Sequence, residues 1–333
     1  MTGAEPGLPA TMRAAYARTR GGPEAITVGA LPIPTPGPGE VLVQVAASPV
    51  NHVDRLVLSG DYDTAWADPM VIGRDAVGTV AAAAPGTGFA EGEQVWTASM
   101  GYDGRTGTAA QYVAVPAARL YRLPRGIDPI TAAATIHPAM TAWLGLVREG
   151  AIAAGQTVVI EGAGGAVGSA ALQLAVAAGA DTVVTCSAAD TDWCARLGAH
   201  AVIDYRAPDL AARLAAAVPG GADLWWDQSG RNDFALSVPR LRRGGRIIVS
   251  AGLVGAAPAL PVGALYTRDG SVRGFATSAA PVEDLAAAAG AVTGLWEAGR
   301  LRVRPPQVRD LAEAADAHRA MAGGVKRRQV LVP

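Results

Sequence analysis

The chain has 333 residues, 50% of them hydrophobic and 17% charged, which is the composition of a globular protein with room for two domains. The net charge of −1 gives no electrostatic basis for binding nucleic acid or an anionic membrane, and neither partner is expected. Cys186 and Cys194 could form one disulfide at most and are expected to be reduced thiols. Residues 1–10 lack a secretory signal pattern, so a cytoplasmic protein is expected.

The first third of the chain predicts a β-rich domain. Short strand patterns at 12–16, 25–28 and 41–47 are separated by turns, and the loop 32–40 contains four prolines. Further strands are predicted up to residue 123, with one short helix at 51–59. Many short strands with abundant turns indicate a compact β domain over residues 11–128.

From residue 128 onward the pattern changes to alternating strands and helices. Two helices are predicted around Pro138, at 128–134 and 139–149. Strands are then predicted at 157–161, 181–186, 201–204, 222–227 and 245–251, with a sixth at 271–275, and helices at 166–178, 190–197, 208–217 and 231–241. This alternation predicts a doubly wound parallel sheet over residues 129–278. Trp225 and Trp226, adjacent in one strand, should point to opposite faces of that sheet.

A glycine cluster follows the first of these strands. Gly162, Gly165 and Gly168 give the spacing G-x-x-G-x-x-G, with a strand before it and an Ala/Leu-rich helix after it. Such glycines permit a sharp turn, a close approach of phosphate to the backbone, and tight packing of helix on strand. The helix N-terminus suits a pyrophosphate. The cluster therefore predicts a dinucleotide site rather than a turn that binds nothing.

Several segments, taken in order, resemble the zinc-free branch of the medium-chain dehydrogenase/reductase superfamily, the quinone oxidoreductase-like proteins. They are 36–43 (PGPGEVLV), 48–54 (SPVNHVD), 59–62 (SGDY), 72–80 (IGRDAVGTV), 88–96 (GFAEGEQVW), 107–112 (GTAAQY) and 197–206 (LGAHAVIDYR). The resemblance implies an α/β protein with a GroES-like domain, an inserted Rossmann domain, and a return to the GroES-like domain over 279–333. It also implies a homodimer that acts on a small molecule.

The residues at the aligned metal positions argue against zinc. Zinc-using relatives place Cys, His and Cys where this chain has Asn51, Arg74 and His137. Asparagine is a poor zinc ligand and arginine cannot serve as one, so no metal is expected. Arg74 could bind an acidic group of a substrate or pair with Asp75 or Asp54, and the ion pair is favoured. Hydride addition to a quinone or an α,β-unsaturated carbonyl then fits better than alcohol oxidation.

The cofactor expected from the resemblance is NADPH, with NADH as the alternative. Ser187, after the second strand, is a neutral group that tolerates a 2′-phosphate, whereas Asp190 would repel one if it faced the site. The basic run 326–328 reads as a solvated turn, with a phosphate contact as the alternative. The cofactor-binding residues expected from the glycine motif and the resemblance together are Gly162, Gly164, Gly165, Ala166, Val167, Gly168, Ser187, Tyr205, Ala251, Gly252, Leu253, Phe275, Ala276 and Thr277.

Two residues are candidates for catalysis. Asn51 could hydrogen-bond the substrate carbonyl or the nicotinamide ribose, or simply cap its own turn. His137 could protonate the reduced substrate, or be a structural histidine. The leading hypothesis is an NAD(P)H-dependent quinone or enone reductase. The alternatives are a non-redox cyclase or lyase on the same scaffold and a non-catalytic NAD(P)H-binding protein.

Overall fold

The computed structural model describes residues 8–255 and 257–333, and the chain divides into two units. The first comprises 8–136 together with Arg304–Pro333, and the second is His137–Val303. The boundaries expected from the sequence lay earlier, after residues 128 and 278. The shift at the second boundary has a clear cause, because Gln173 of the second unit exchanges two hydrogen bonds with the backbone of Arg302. Leu295 likewise packs against the core of the second unit.

The first part of the chain forms short strands joined by turns, as predicted. In chain order its elements are β1 (Thr11–Ala17), β2 (Thr27–Pro32), β3 (Glu40–Pro49), α1 (His52–Ser59), β4 (Met70–Val71), β5 (Ala76–Ala83), β6 (Gln94–Thr97), β7 (Tyr112–Pro116) and β8 (Leu120–Arg122). β3 is the longest strand, and it pairs antiparallel with both β5 and β7. Its inward-facing valines Val41, Val43 and Val45 form one hydrophobic core with residues of the neighbouring strands.

The helix α2 (Pro129–Trp143) passes through Pro138 without a break and continues as a π-helix over Leu144–Glu149. The prediction of two helices separated at Pro138 is therefore wrong. Proline has no N–H, so the carbonyl of Ala134 loses its helical partner. Arg328 Nε donates to that carbonyl instead, at 3.2 Å. By length and composition alone Pro129–Glu149 could cross a membrane, but 72% of its apolar window is buried in the protein, as in an ordinary core helix.

The second unit alternates strands and helices. Its elements are β9 (Thr157–Glu161), α3 (Ala166–Ala177), β10 (Asp181–Cys186), α4 (Thr191–Arg196), β11 (Ala201–Asp204), α5 (Leu210–Ala217), β12 (Ala222–Asp227), α6 (Phe234–Ser237), β13 (Leu241–Val249), α7 (Val262–Tyr266), β14 (Ser271–Gly274) and α8 (Val282–Glu297). The six strands lie in the order β11-β10-β9-β12-β13-β14, and every pair is parallel. The doubly wound parallel sheet is confirmed, with its order reversing between β9 and β12.

One helix of this unit is much shorter than predicted. The sequence predicted a helix over 231–241, whereas α6 is a single turn followed by a 3-10 turn at Val238–Arg240. Pro239 contributes to the difference, because it lacks an N–H and so cannot continue the hydrogen bonds of α6. The strand β13 consequently begins at Leu241, four residues earlier than expected.

The core of the second unit lies on both faces of the sheet. Trp226 packs with residues of α3 on one face, and Trp225 packs with Leu214 of α5 on the other. Both tryptophans are almost fully buried. The prediction that their rings point to opposite faces is confirmed.

The chain then returns to the first unit through β15 (Gln307–Asp310), α9 (Ala314–Ala322) and β16 (Gln329–Val332). β16 pairs antiparallel with the end of β3 and parallel with β15. The result is a seven-stranded sheet in the order β15-β16-β3-β5-β6-β8, with β7 also on β3, beside a three-stranded sheet in the order β2-β1-β4. The return segment thus completes the seven-stranded sheet that β3 begins.

Candidate active site

The glycine cluster forms the turn between β9 and α3. Gly162 has φ 77°, a left-handed conformation that favours glycine. Gly168 packs so closely on this turn that a Cβ there would lie 2.4 Å from the carbonyl oxygen of Gly162. These two glycines therefore make the turn and the tight helix–strand contact that the sequence predicted.

The middle of the cluster leaves the start of α3 open. Gly165 is the N-cap residue, and both Gly165 and Ala166 are exposed. The first N–H groups of a helix have no partner within the helix, and its dipole adds positive potential there. Val167 is half-buried and packs against the core below. The turn therefore fits a pyrophosphate, because the exposed residues where the helix begins carry no side chain larger than a methyl group.

Ser187 and Tyr205 follow β10 and β11, the neighbouring strands. The hydroxyl of Ser187 donates to Asp190 Oδ2 at 2.6 Å, and both side chains are buried. The backbone N–H of Tyr205 donates to the carbonyl of Cys186 at 3.1 Å, which holds the two strand ends together. The guanidinium of Arg206 lies over the Tyr205 ring at 5.3 Å. The end of the dinucleotide site expected to hold adenosine therefore contains a buried carboxylate and an exposed arginine.

The segment after β13 is shaped by Asn232. Its side-chain N–H donates to the carbonyl of Ala251 at 2.9 Å. Gly252 has φ 100°, and a Cβ there would lie 2.5 Å from Asn232 Nδ2. Leu253 is 58% exposed. A glycine is therefore required at 252, and Leu253 presents an apolar surface suited to a flat ring.

Phe275, Ala276 and Thr277 follow β14. The Phe275 N–H donates to the carbonyl of Val249 at 3.1 Å, so this segment lies beside the end of β13. The Phe275 ring is 5.9 Å from that of Trp226, and Thr277 Oγ1 lies 3.0 Å from Thr141 Oγ1. All the predicted cofactor residues thus lie at the carboxyl ends of parallel strands, which is one edge of the sheet and the usual ligand edge in this architecture.

Sequence reasoning missed a pair of carboxylates at this same edge. Glu161 ends β9, Asp227 ends β12, and the two residues are register partners. The indole N–H of Trp225 donates to Glu161 Oε1 at 2.7 Å. Burial, followed by the charge of Asp227, raises the pKa of Glu161 to about 7. The sequence did carry a signal for this pair, because Glu161 directly precedes Gly162 and Asp227 ends the predicted strand 222–227.

In the first unit, Asn51 is the centre of a buried hydrogen-bond network. It is only 1% exposed, its Nδ2 donates to Asp75 Oδ2 at 2.7 Å, and its Oδ1 accepts from Arg328 Nη2 at 2.9 Å. Its backbone N–H donates to Asp54 Oδ2 at 2.7 Å, which begins α1. Asn51 is therefore held rigidly from three sides.

Two arginines neutralise the acids of this network. Arg74 is 1% exposed, and its Nε lies 3.5 Å from Asp54 Oδ1, so the expected ion pair with Asp54 is present. Arg328 donates to Asn51 and also to the carbonyls of Val50 and Ala134. Burial lowers the pKa of Arg328, while the charges of Asp75 and Asp54 oppose that shift. The prediction of a solvated turn is therefore wrong for Arg328.

Two histidines, His52 and His137, lie in different units. His137 is a half-buried residue of α2. His52 is the first residue of α1, and burial, followed by the charge of Arg55, lowers its pKa. The roles of Asn51 and His137 stay predictions.

Comparison with known families agrees with this arrangement. Residues 37–125 match the alcohol dehydrogenase GroES-like domain, and residues 166–292 match the domain described as zinc-binding dehydrogenase. The quinone oxidoreductase of Sus scrofa is 30% identical over 304 residues, which is 90% of each chain. The chain belongs to the zinc-free, quinone oxidoreductase-like branch of the medium-chain dehydrogenase/reductase superfamily. Its GroES-like and Rossmann-type domains are thereby confirmed.

Solved structures of this superfamily cover nearly the whole chain. An NAD-dependent alcohol dehydrogenase is 30% identical with a TM-score of 0.88, covering 97% of this chain and 100% of its own. A mycobacterial protein complexed with NADPH is 25% identical with a TM-score of 0.84 and the same coverage. As a quinone oxidoreductase-like member, this protein is an oxidoreductase that uses a nicotinamide cofactor.

The residues present do not fit the zinc ion that one domain description implies. Arg74, at an aligned ligand position, is a buried cation, and a second cation at the same site would be repelled. The amide of Asn51 is already bound by Asp75 and Arg328. Among residues 8–255 and 257–333, no group of three or more His, Cys, Asp or Glu side chains is placed to hold a metal.

Proposed function

We propose that this protein is a zinc-independent, NAD(P)H-dependent reductase that transfers hydride to a quinone or an α,β-unsaturated carbonyl. The observation that carries the proposal is the open glycine turn before α3, on the same sheet edge as the other predicted cofactor residues. The buried Arg74 adds support, because it stands where zinc-using relatives have a metal ligand. A carbonyl or quinone that is already electrophilic needs no metal to accept hydride.

The choice of cofactor has support in both directions. The mycobacterial NADPH complex supports NADPH, the cofactor expected from the resemblance. The NAD-dependent alcohol dehydrogenase, at higher identity, supports NADH. Both dinucleotides share the pyrophosphate and nicotinamide, so the glycine turn and the segments after β13 and β14 serve either one.

The chain's own residues would hold the two reactants and manage one proton. A bound reduced nicotinamide supplies the hydride. The N–H groups at Gly165 and Ala166 would hold the pyrophosphate, and Leu253 would cover an apolar ring face. His137, a half-buried residue of α2, is our candidate for protonating the product, because an imidazole can act as a general acid. Asn51, which is held by Asp75 and Arg328, fits a positioning role better than direct donation.

Binding and turnover of nicotinamide dinucleotides by a single-residue variant test the proposal. Gly165→Asp places a carboxylate at the exposed start of α3, where a new Cβ would meet only the carbonyl of Gly162, at 3.3 Å. We expect at least a tenfold loss of dinucleotide affinity with an unchanged melting temperature, because the new charge repels pyrophosphate. Gly165→Ala is the matched control and should bind nearly normally. Equal binding by wild type and Gly165→Asp would refute the site.

A quinone and enone panel then separates the candidate activities. The proposal requires oxidation of reduced nicotinamide at 340 nm that depends on the acceptor, with His137→Ala lowering kcat and Asn51→Ala changing both kcat and KM. Conversion of a substrate with no nicotinamide consumed would favour a cyclase or lyase. Tight binding with no turnover on any acceptor would favour a non-catalytic nucleotide-binding protein.

The remaining expectations concern assembly and location. A homodimer is proposed, with support from exposed apolar residues on and before α7, where Val262 and Tyr266 are 60% and 69% exposed. A cytoplasmic location is proposed from the two free cysteines, Cys186 and Cys194.

A further inference from the structure

The residues after β10 form a defined polar turn. A 3-10 turn at Ala188–Asp190 is closed by a backbone hydrogen bond from Asp190 N to Ser187 O at 2.8 Å. The Ser187 hydroxyl donates to the Asp190 carboxylate at 2.6 Å, and the two residues are 6% and 4% exposed. The Ser187 hydroxyl is therefore already hydrogen-bonded to a carboxylate. It does not present a simple neutral group to whatever stands at the ribose 2′ position.

The Asp190 side chain points toward the glycine turn and not into solvent. A Cβ built on Gly164 would lie 2.5 Å from Asp190 Oδ2 and 2.7 Å from its Cγ, so the carboxylate packs on the Cα of Gly164. Gly164 directly precedes the open start of α3. Asp190 thus lies between the pyrophosphate position and the end of β10, which is where the adenosine ribose binds in folds of this kind.

A carboxylate at this place interacts differently with NADH and NADPH, because the two differ only at the 2′ position of the adenosine ribose. It can accept a hydrogen bond from a free ribose 2′-hydroxyl, as acidic residues near the end of this strand do in NAD sites. A 2′-phosphate carries between one and two negative charges near neutral pH, so the carboxylate repels it. Since Asp190 is buried, solvent screens its repulsion of a phosphate only weakly.

One cation at this end could act in the opposite direction. Arg206 is exposed, lies over the Tyr205 ring, and could reach a phosphate from solvent. Its backbone N–H donates to Asp204 Oδ1 at 2.9 Å, so a second acid lies at the same turn. The exposed guanidinium of Arg206 is screened by water, whereas Asp190 is buried and held by Ser187 against Gly164.

We propose that this protein selects NADH over NADPH and that Asp190, held by Ser187 against Gly164, is the residue that determines the choice. The inference rests on the proposed function, since it concerns the same dinucleotide site. Ser187 acts through Asp190 as a positioning residue.

The test is direct binding of NADH and NADPH, measured by nucleotide fluorescence and calorimetry with no acceptor present. Wild type should bind NADH at least tenfold more tightly than NADPH. Asp190→Asn keeps an oxygen for the Ser187 hydroxyl and should narrow the ratio to about threefold or less, and Asp190→Lys should reverse it. Asp192→Asn, an equal charge change at an exposed neighbour, should leave the ratio unchanged.

The outcomes separate this inference from the proposed function. Tighter binding of NADPH by wild type, or an NADH preference that Asp190→Asn leaves intact, overturns the role of Asp190. An NADPH preference that Arg206→Ala abolishes would assign the choice to Arg206 instead. Failure of both nucleotides to bind removes the proposed function itself. The wild-type ratio tests the selectivity even if a variant does not fold.

Discussion

Glu161 shows how one buried carboxyl couples stability to pH. Its pKa rises from 4.5 in the unfolded chain to about 7 in the fold, chiefly because burial disfavours its charged form. The folded protein therefore binds this proton more tightly than the unfolded chain does. The resulting stability is fully present below pH 4.5 and is lost as pH rises through 7, for a total of about 3 kcal/mol.

The variant Glu161→Gln should remove this dependence. Glutamine keeps an oxygen to accept the Trp225 indole N–H and carries no charge. We expect it to be more stable than wild type at pH 8, by about 2–3 kcal/mol, and similar at pH 4.5. Chemical denaturation at several pH values measures this. Glu297→Gln, at an exposed position, is the control. Parallel pH curves for wild type and Glu161→Gln would contradict the assignment.

At this scale the sequence predicted local roles well and distant partners poorly. The jobs of Gly162 and Gly168 follow from their spacing and neighbours, and the structure agrees. The bond between Asn51 and Arg328 joins residues 277 positions apart, which no local pattern encodes. Asp190 was visible as an acid, but its burial against Gly164 depends on how α4 packs.

Among the elements, α2 depends on a side chain from the other end of the chain. Arg328 bonds the Ala134 carbonyl that Pro138 leaves without a helical partner, and it also bonds Val50 and Asn51. Sequence reasoning treated proline as a break because the helix interior cannot supply the missing N–H. The local sequence does not show that the guanidinium of Arg328 supplies the missing donor. The strands of the second unit were easier to predict from the sequence, because their β-branched runs are bounded by glycines and turns.

Replacing Arg328 should therefore destabilise this element. Arg328→Met leaves buried acceptors unsatisfied and should cost about 2–4 kcal/mol. Adding Pro138→Ala restores an N–H facing Ala134, so the double variant should recover about 1 kcal/mol beyond additivity. Denaturant unfolding of the full cycle measures the coupling. Arg327→Met, at an exposed neighbour, should change stability by less than about 0.5 kcal/mol. Strict additivity would show that Arg328 and the proline act independently.

At the scale of the whole molecule, the two units should respond to pH in opposite directions. His318, in the first unit, is 2% exposed, and burial lowers its pKa from 6.5 to about 4. Its stability contribution is present above pH 6.5 and is lost as pH falls through 4, whereas that of Glu161 is lost as pH rises through 7.

Hydrogen exchange, corrected for intrinsic rates, should show this difference. The first unit should lose protection toward pH 4.5 and the second toward pH 8. His318→Leu should protect the first unit in acid, because no buried imidazole must then be charged, while His200→Gln at an exposed position should not. Uniform loss of protection across both units at either pH would argue against separate responses.

Assembly also belongs to this scale. Within the described part of the chain, β14 pairs only with β13 and so ends its sheet, and α7 leads into it with an apolar surface. Val262→Lys with Tyr266→Lys should convert the proposed dimer to monomers in light scattering, because two charges per copy would be buried. Val308→Lys, on the exposed edge strand β15, is the control. A monomeric wild type would remove the proposal.

The position of β16 has a consequence for how the protein is made. β3 is synthesised early but its neighbour β16 follows the entire second unit, so the first sheet stays incomplete while that unit emerges from the ribosome. The second unit is one uninterrupted stretch and can finish folding first. Until translation reaches Gln329, the last two residues of β3, Ser48 and Pro49, lack the strand partners that β16 supplies.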